Sequence, residues 1–324
     1  MQKTLSVINL LAIRRNALKI KEIIGGAEFF AVVKADAYGH GAEEVSREIE
    51  DIVSGFCVAI IEEGISLRVA GIKKPILVFT PPLDVYDVAR AKTYDLTVTV
   101  NSLEILTLSK DLNFHLKVNT GMNRFGCNLE EIDEILERAD KSKIQGVYSH
   151  LYAPQDKIAS ERQFELFKEA ERKVKKINGN VVAHLAASGG TLRGGKYILD
   201  GVRCGILLYG YAPQGFSRDV FEGAMTVYAR RAQLTKFIGG GVGYNFANKD
   251  YSQLSTYRCG YAEGFKRTVP LGEGNLCMDA FVSERQDGLL KVFDDAEYYA
   301  KSCGTIPYEV LTSVTKRSER VYER

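Results

Sequence analysis

The chain has 324 residues, and its 43 basic against 41 acidic side chains leave a formal charge of +2, too weak a field to gather nucleic acid or dock on an anionic membrane surface. No apolar run approaches the roughly 20 residues that cross a bilayer, and Met1 to Arg14 has no signal-peptide core, so a cytoplasmic protein without nucleic-acid or membrane partners is expected. The six cysteines (Cys57, Cys127, Cys204, Cys259, Cys277 and Cys303) stand singly, with no C-x-x-C pair for zinc or redox work, which predicts reduced and mostly buried thiols.

From residue 5 to about 210, short apolar runs alternate with amphipathic stretches, the pattern of repeated βα units around a parallel sheet. Helices are predicted at Leu11 to Ile24, Glu62 to Ala70, Leu129 to Ala139 and Glu161 to Ile177. Strands are predicted at Phe29 to Val33, Phe56 to Ile60, Pro75 to Phe79, Leu96 to Val100, Phe114 to Val118, Gly146 to His150, Val181 to Ala186 and in the segment leading into Arg203. Eight such strands match an α/β architecture of the (β/α)₈ TIM-barrel type over residues 1–215. No Gly-x-Gly-x-x-Gly follows the first strand to support an open dinucleotide-binding sheet. Past about Gly215 the pattern changes. Met225 to Ile238, Tyr251 to Gly260, Leu276 to Val282 and Leu289 to Val292 read as short strands punctuated by glycines, which predicts a smaller, mostly-β C-terminal domain over 216–324.

In a barrel of this kind reactive groups collect at the carboxyl ends of the strands. Lys34 ends the first strand, Lys117 the fifth and His150 the sixth; Ser188 follows the seventh, and Arg203 lies in the eighth. Lys34 sits where an apolar run gives way to Ala35, Ala37 and Gly39. Partial burial there lowers a lysine pKa and suits the amine to Schiff-base chemistry, whereas a lysine simply reaching water would have no such role. The adjoining Tyr38-Gly39-His40-Gly41 offers a phenol, an imidazole and flexible amides, groups that hold a phosphate or an aromatic ring. His115, His150 and His184 invite a metal reading. A barrel metal site calls for a paired His-x-His and a strand-end carboxylate, and neither is present in the sequence, so no metal is expected.

Six segments carry a closer resemblance: residues 31–41 (AVVKADAYGHG), residues 115–126 (HLKVNTGMNRFG), Ser149-His150, residues 202–210 (VRCGILLYG), residues 260–267 (GYAEGFKR) and Cys277-Met278-Asp279. In content and order the chain resembles the alanine racemase family of pyridoxal-phosphate enzymes, built on a barrel followed by a β domain. The resemblance implies that pyridoxal 5'-phosphate is the cofactor and that Lys34 forms its Schiff base. It implies a two-base racemisation in which Lys34 serves one face of the substrate carbon and Tyr261 the other. The phenol would come from the neighbouring subunit of a homodimer with shared active sites, along with Cys277-Met278-Asp279. By the same resemblance, His150 and Arg203 stabilise the phenolate, and Arg203 also meets the pyridine nitrogen. Tyr38, Ser188 and the backbone of Gly205 and Ile206 match the phosphate site. Arg124 matches the residue reaching the ring hydroxyl and the substrate carboxylate, Met278 a backbone donor to that carboxylate, and Lys117 a lysine that is carbamylated in many members and orients the arginine.

Some positions depart from the family pattern. Ala187 stands where members often have asparagine, Asn119 where they usually have aspartate, and Glu263 where aspartate is commoner. Thr315-Lys316-Arg317 replaces a tyrosine before an arginine, leaving Lys316 to meet phosphate or solvent, and the interval from Arg267 to Met278 is short. L- and D-alanine are thus the expected substrates, with serine or another amino acid as the alternative. A non-catalytic pyridoxal-phosphate carrier would need the first domain alone, and the second domain argues against it.

Overall fold

The computed structural model describes residues 4–267, 269, 271–274 and 276–324. The strands in chain order are β1 (Thr4–Asn9), β2 (Glu28–Val32), β3 (Gly55–Val58), β4 (Ile76–Val78), β5 (Val98–Val100), β6 (Phe114–Lys117), β7 (Ile144–Tyr148), β8 (Val182–His184), β9 (Gly201–Cys204), β10 (Met225–Lys236), β11 (Gly241–Val242), β12 (Asn245–Phe246), β13 (Gln253–Tyr257), β14 (Phe281–Ser283), β15 (Leu289–Phe293) and β16 (Glu319–Glu323).

Strands β2 to β9 are the eight read from the sequence. They form two parallel four-stranded sheets, β4-β3-β2-β9 and β5-β6-β7-β8. Parallel bridges Leu77–Thr97 and Ala187–Arg203 join the sheets at both margins, so the eight strands close into the (β/α)₈ barrel. Their residues are buried almost without alternation, as parallel strands covered by helices require: Phe29, Ala31, Phe56, Cys57, Val98, Leu116 and Val147 are all inaccessible. The helices begin where side chains can cap them. Asp84 accepts the amides of Tyr86 and Asp87, Ser102 that of Ile105, and Asp156 that of Ala159, which opens the long helix Lys157–Ile177. That helix starts one turn before the predicted Glu161, at its aspartate cap. In the barrel interior, Gly146 pairs with His115, and a Cβ at this position would lie 2.5 Å from the His115 ring. The glycine makes room for the imidazole.

The chain divides into two compact units, one of residues 13–37 and 42–222, the other of residues 4–12, 38–41 and 223–324. The second unit is built on a sheet of order β14-β13-β10-β1-β16, with β15 also pairing β10. β10 runs antiparallel to β1 and β15 through its first half and to β13 through its second, with a bulge between Arg231 and Gln233. β1 is hidden in the sequence because two of the three residues on its buried face are polar: Thr4 Oγ1 donates to the Arg258 carbonyl at 3.0 Å, and Ser6 Oγ lies 2.7 Å from Ser318 Oγ. Two helices, Ala296–Cys303 and Pro307–Ser313, also belong to this unit. The predicted strand Leu276 to Val282 is strand only from Phe281; Cys277 and Met278 instead offer their carbonyls to another turn, described below.

Candidate active site

Lys34 follows β2 immediately, and the backbone after it takes an uncommon form. Ala35, Asp36, Ala37 and Tyr38 all have φ between 51° and 54°, a single left-handed helical turn closed by the Ala37 amide on the Val33 carbonyl at 2.8 Å. Left-handed geometry costs a non-glycine residue about 1–2 kcal/mol, so the turn has to be held. Glu63 does so from one side, accepting the amides of Ala35 and Ala59 at 2.7 Å. Asp36 does so from the other, accepting the Ala42 amide at 2.8 Å. This conformation fixes the strand exit from which the Lys34 side chain springs. Burial lowers the Lys34 pKa, and the Arg124 cation adds to the effect against the opposing pull of Glu63.

The other strand-end residues of the barrel unit stand in one positive field. Lys117, buried at the end of β6, lies with Nζ 4.2 Å from the centre of the Tyr148 ring, and burial with Arg203 and Arg124 drives its pKa well below the ordinary lysine value. His150 is kept neutral by burial and by the charges of Arg203, Lys117, Arg124 and Lys34. Asn119, at the position where the family usually has aspartate, organises the loop that carries Arg124: its Oδ1 accepts the amides of Gly121 and Asn123, and its Nδ2 reaches Asn123 Oδ1 at 3.0 Å.

Arg203, in β9, is buried, and all the partners of its guanidinium among the described residues are neutral. Nη1 donates to the His184 carbonyl at 2.6 Å and to His184 Nδ1 at 2.8 Å; Nη2 donates to the Ser149 carbonyl at 2.5 Å and to that of Leu185 at 3.3 Å. Nε takes part in none of these bonds. Because His184 Nδ1 accepts, its Nε2 carries the hydrogen and donates to His115 Nδ1 at 2.7 Å. Burial and Arg203 hold both rings neutral, His115 down to about 3 and His184 well below the usual histidine value. The sequence offers these histidines only as candidate metal ligands; the relay runs from β6 to β8 past the intervening β7, a pairing between alternate barrel strands that strand order alone does not announce. No hydrogen bond joins Arg203 to His150 among the described residues.

Ser188 opens the short helix Ser188–Arg193 after β8, and Gly205 precedes the turn Ile206–Tyr209 after β9. The Gly205 amide donates to Ser188 Oγ at 3.2 Å, tying the two chain turns together.

In the sheet unit, Tyr261 begins the short turn Tyr261–Glu263. The Tyr261 amide donates to the Cys277 carbonyl at 3.2 Å and that of Ala262 to the Met278 carbonyl at 2.9 Å, so Tyr261 and Met278 are neighbours by backbone. Gly260 allows the approach: a Cβ there would overlap both carbonyls. Tyr38 is buried, its ring 6.0 Å from that of Tyr308. Gly39 and Gly41 sit at φ +83° and +93°, where side chains would run into the Leu311 carbonyl and the Tyr322 hydroxyl, so both glycines serve packing. His40 is buried with Nδ1 3.0 Å from the Tyr38 carbonyl. Lys316 is exposed. Among the described residues no group of three or more His, Cys, Asp or Glu is placed to hold a metal ion.

A lysine whose pKa is lowered by burial and by the Arg124 cation, with Glu63 engaged by backbone amides, suits a carbonyl compound that carries an anionic group. Arg203 Nε, which has no hydrogen-bond partner among the described residues, adds a donor for a basic ring nitrogen, so the residues present fit pyridoxal phosphate.

Comparison with known proteins supports the same chemistry. Residues 8–213 match the family model described as alanine racemase, N-terminal domain. The alanine racemase of Carboxydothermus hydrogenoformans is 33% identical over 97% of this chain and 98% of its own length, and that of Ligilactobacillus salivarius 31% identical over 99% and 98%. Among solved structures, alanine racemase of Clostridium difficile 630 superposes with a TM-score of 0.89 at 27% identity, covering 100% of this chain and 96% of that one. The biosynthetic alanine racemase of Pseudomonas aeruginosa gives 0.86 at 26% identity, with full coverage of both chains.

Proposed function

Because the chain belongs to the alanine racemase family, we propose that it interconverts L- and D-alanine with pyridoxal phosphate as cofactor, using Lys34 and Tyr261 as bases on opposite faces of the substrate carbon. The observation that carries this reading is the state of Lys34: an amine whose charged form is disfavoured by burial and by Arg124, at the end of a barrel strand. When bound, the cofactor supplies the electron sink that makes the α-hydrogen acidic.

The remaining work falls to the protein. Lys34 would hold the cofactor through its carbonyl carbon and would carry the proton at one face on Nζ. Tyr261 moves it at the other through its phenolic oxygen. Arg203 donates from Nε to the ring nitrogen and, as a guanidinium, keeps its own proton. A guanidinium at that position would supply a hydrogen bond without giving up a proton, which would favour return of the substrate proton over side reactions. Tyr38, Ser188 and the Gly205–Ile206 backbone hold the phosphate. Arg124 and Met278 would receive the substrate carboxylate, and Lys117, once carbamylated as in many members of the family, would present an anionic oxygen to orient Arg124.

In this reading residues 1–215 form the cofactor-binding domain and residues 216–324 lend Tyr261 and Cys277-Met278-Asp279 to the partner of a cytoplasmic homodimer. D-alanine made there is available as a building block of peptidoglycan.

The test is reductive trapping. Borohydride should fix the cofactor on Lys34 in peptide mapping, and the Lys34→Ala chain should keep none. A panel of single amino acids assayed beside it should give alanine the highest kcat/KM. Cofactor fixed on another lysine overturns the assignment, and preference for serine moves the substrate without moving the mechanism.

A further inference from the structure

Two segments of the sheet unit converge on one guanidinium. Arg317 Nε lies 3.0 Å from Glu263 Oε1, and its Nη2 lies 2.5 Å from Asp279 Oδ1. Glu263 closes the turn that Tyr261 opens, and Asp279 directly follows Met278, so one side chain holds the two segments that carry the proposed base and the carboxylate donor. The Glu263 carboxylate is nearly inaccessible, and its second oxygen accepts the Gly260 amide at 2.8 Å, just ahead of Tyr261. Thr315 adds its own ties: its amide donates to the Glu263 carbonyl at 3.1 Å and its hydroxyl to the Ala262 carbonyl at 3.2 Å. The Arg317 amide closes the loop on Thr315 Oγ1 at 3.2 Å.

This arrangement says what Arg317 can and cannot do. Its side chain and that of Asp279 are about half exposed, and ion pairs of that kind contribute about 0–1 kcal/mol to folding. Its effect is geometric. Tyr261 and Met278 are themselves 40% and 53% exposed, so their placement depends mainly on the backbone. A planar guanidinium presents its donors at fixed angles, and bonds from Nε and Nη2 set the spacing between the two carboxylates. Glu263, one methylene longer than the family's commoner aspartate, caps its own turn and reaches Arg317 at the same time.

We propose that Arg317 is a positioning residue for racemisation, holding the Tyr261 turn against the Met278 segment through Glu263 and Asp279. The proposal rests on the reading of Tyr261 as one of the two bases. Its test uses the cofactor-loaded enzyme and follows α-hydrogen exchange of L-alanine and of D-alanine separately in D₂O. Tyr261→Phe should abolish exchange of one enantiomer and leave the other, served by Lys34. Arg317→Met should reproduce that one-sidedness in weaker form, a roughly tenfold loss for the same enantiomer, since small displacements of a reacting group carry penalties of this order. Exchange of the other enantiomer should fall less, since only the shift of the Met278 segment is common to both, cofactor absorbance and Tm should remain at parent values, and Arg317→Lys, which keeps a cation for one carboxylate, should recover part of the loss. If Arg317→Met slows both enantiomers equally, or neither, while Tyr261→Phe stays one-sided, the positioning role is overturned. If Tyr261→Phe is not itself one-sided, the two-base reading falls and the proposal falls with it.

Discussion

At the scale of single residues, the barrel interior is governed by the cost of burying positive charge. Arg203 keeps its charge because three carbonyls and an imidazole nitrogen accept from it; His184 and His115 stay neutral beside it, His115 held down to about 3. Burial of this kind has a signature in pH. The unfolded chain takes up protons on these histidines near pH 6.5, whereas the folded chain refuses them until about pH 3 at His115. Over that interval the unfolded state binds more protons, so stability falls as the pH is lowered. Urea midpoints of the apoprotein at pH 6.5, 5 and 4 should therefore decline, and His115→Gln should flatten the decline relative to the parent. An unchanged slope would mean that His115 already titrates normally in the fold. None of this is legible in the sequence, where His115 and His184 suggest only a metal reading that lacks its partners. Lys34 stands out in the sequence because a cation at the end of a buried strand is chemically out of place, and Arg203 because a cation within one is.

The most unusual element is the left-handed turn Ala35–Tyr38. Single glycines are the usual occupants of such geometry, yet four consecutive residues here have side chains. Ala35 is exposed and its amide is held by Glu63 at 2.7 Å. Ala35→Gly should accordingly stabilise the protein by about 0.5–1 kcal/mol, reversing the usual penalty for glycine because the native φ of 51° is strained for alanine. Denaturant unfolding checks the sign, and a loss of stability would show that Glu63 and Asp36 fully relieve the strain. The barrel strands were readable because continuous apolar runs of four or five residues have few other homes. β1 and β16 were not. β1 turns Thr4 and Ser6 inward beside Ile8, so its short alternation carries Leu5 and Val7 on the less buried face, and β16, Glu-Arg-Val-Tyr-Glu, is charged at both ends. The stretch after Leu276 misled for a related reason: its apolar side chains suggested pairing, while its carbonyls are spent on the Tyr261 turn.

At the scale of the whole molecule, the chain order of eight strands foretold the closed barrel, and the change of pattern near Gly215 foretold a second unit rich in strands. That the second unit also takes residues 4–12 and 38–41 is a long-range fact, set by pairing of β1 between β10 and β16 and by the fit of Gly39 and Gly41 against Leu311 and Tyr322. No local pattern announces it. Reaction chemistry is readable from motifs spread over both units, while the relay behind Arg203 and the clamp at Arg317 exist only in the folded chain. The measurement that bears most directly on a racemase with Lys34 and Tyr261 as paired bases in shared sites is a mixing assay. Lys34→Ala and Tyr261→Phe chains, each inactive alone, are unfolded together, refolded with pyridoxal phosphate and given either enantiomer of alanine. Random pairing makes about half the dimers hybrid, each with one complete site, so racemisation should return at about a quarter of the parent rate. An inert mixture beside an active parent would contradict shared two-base sites.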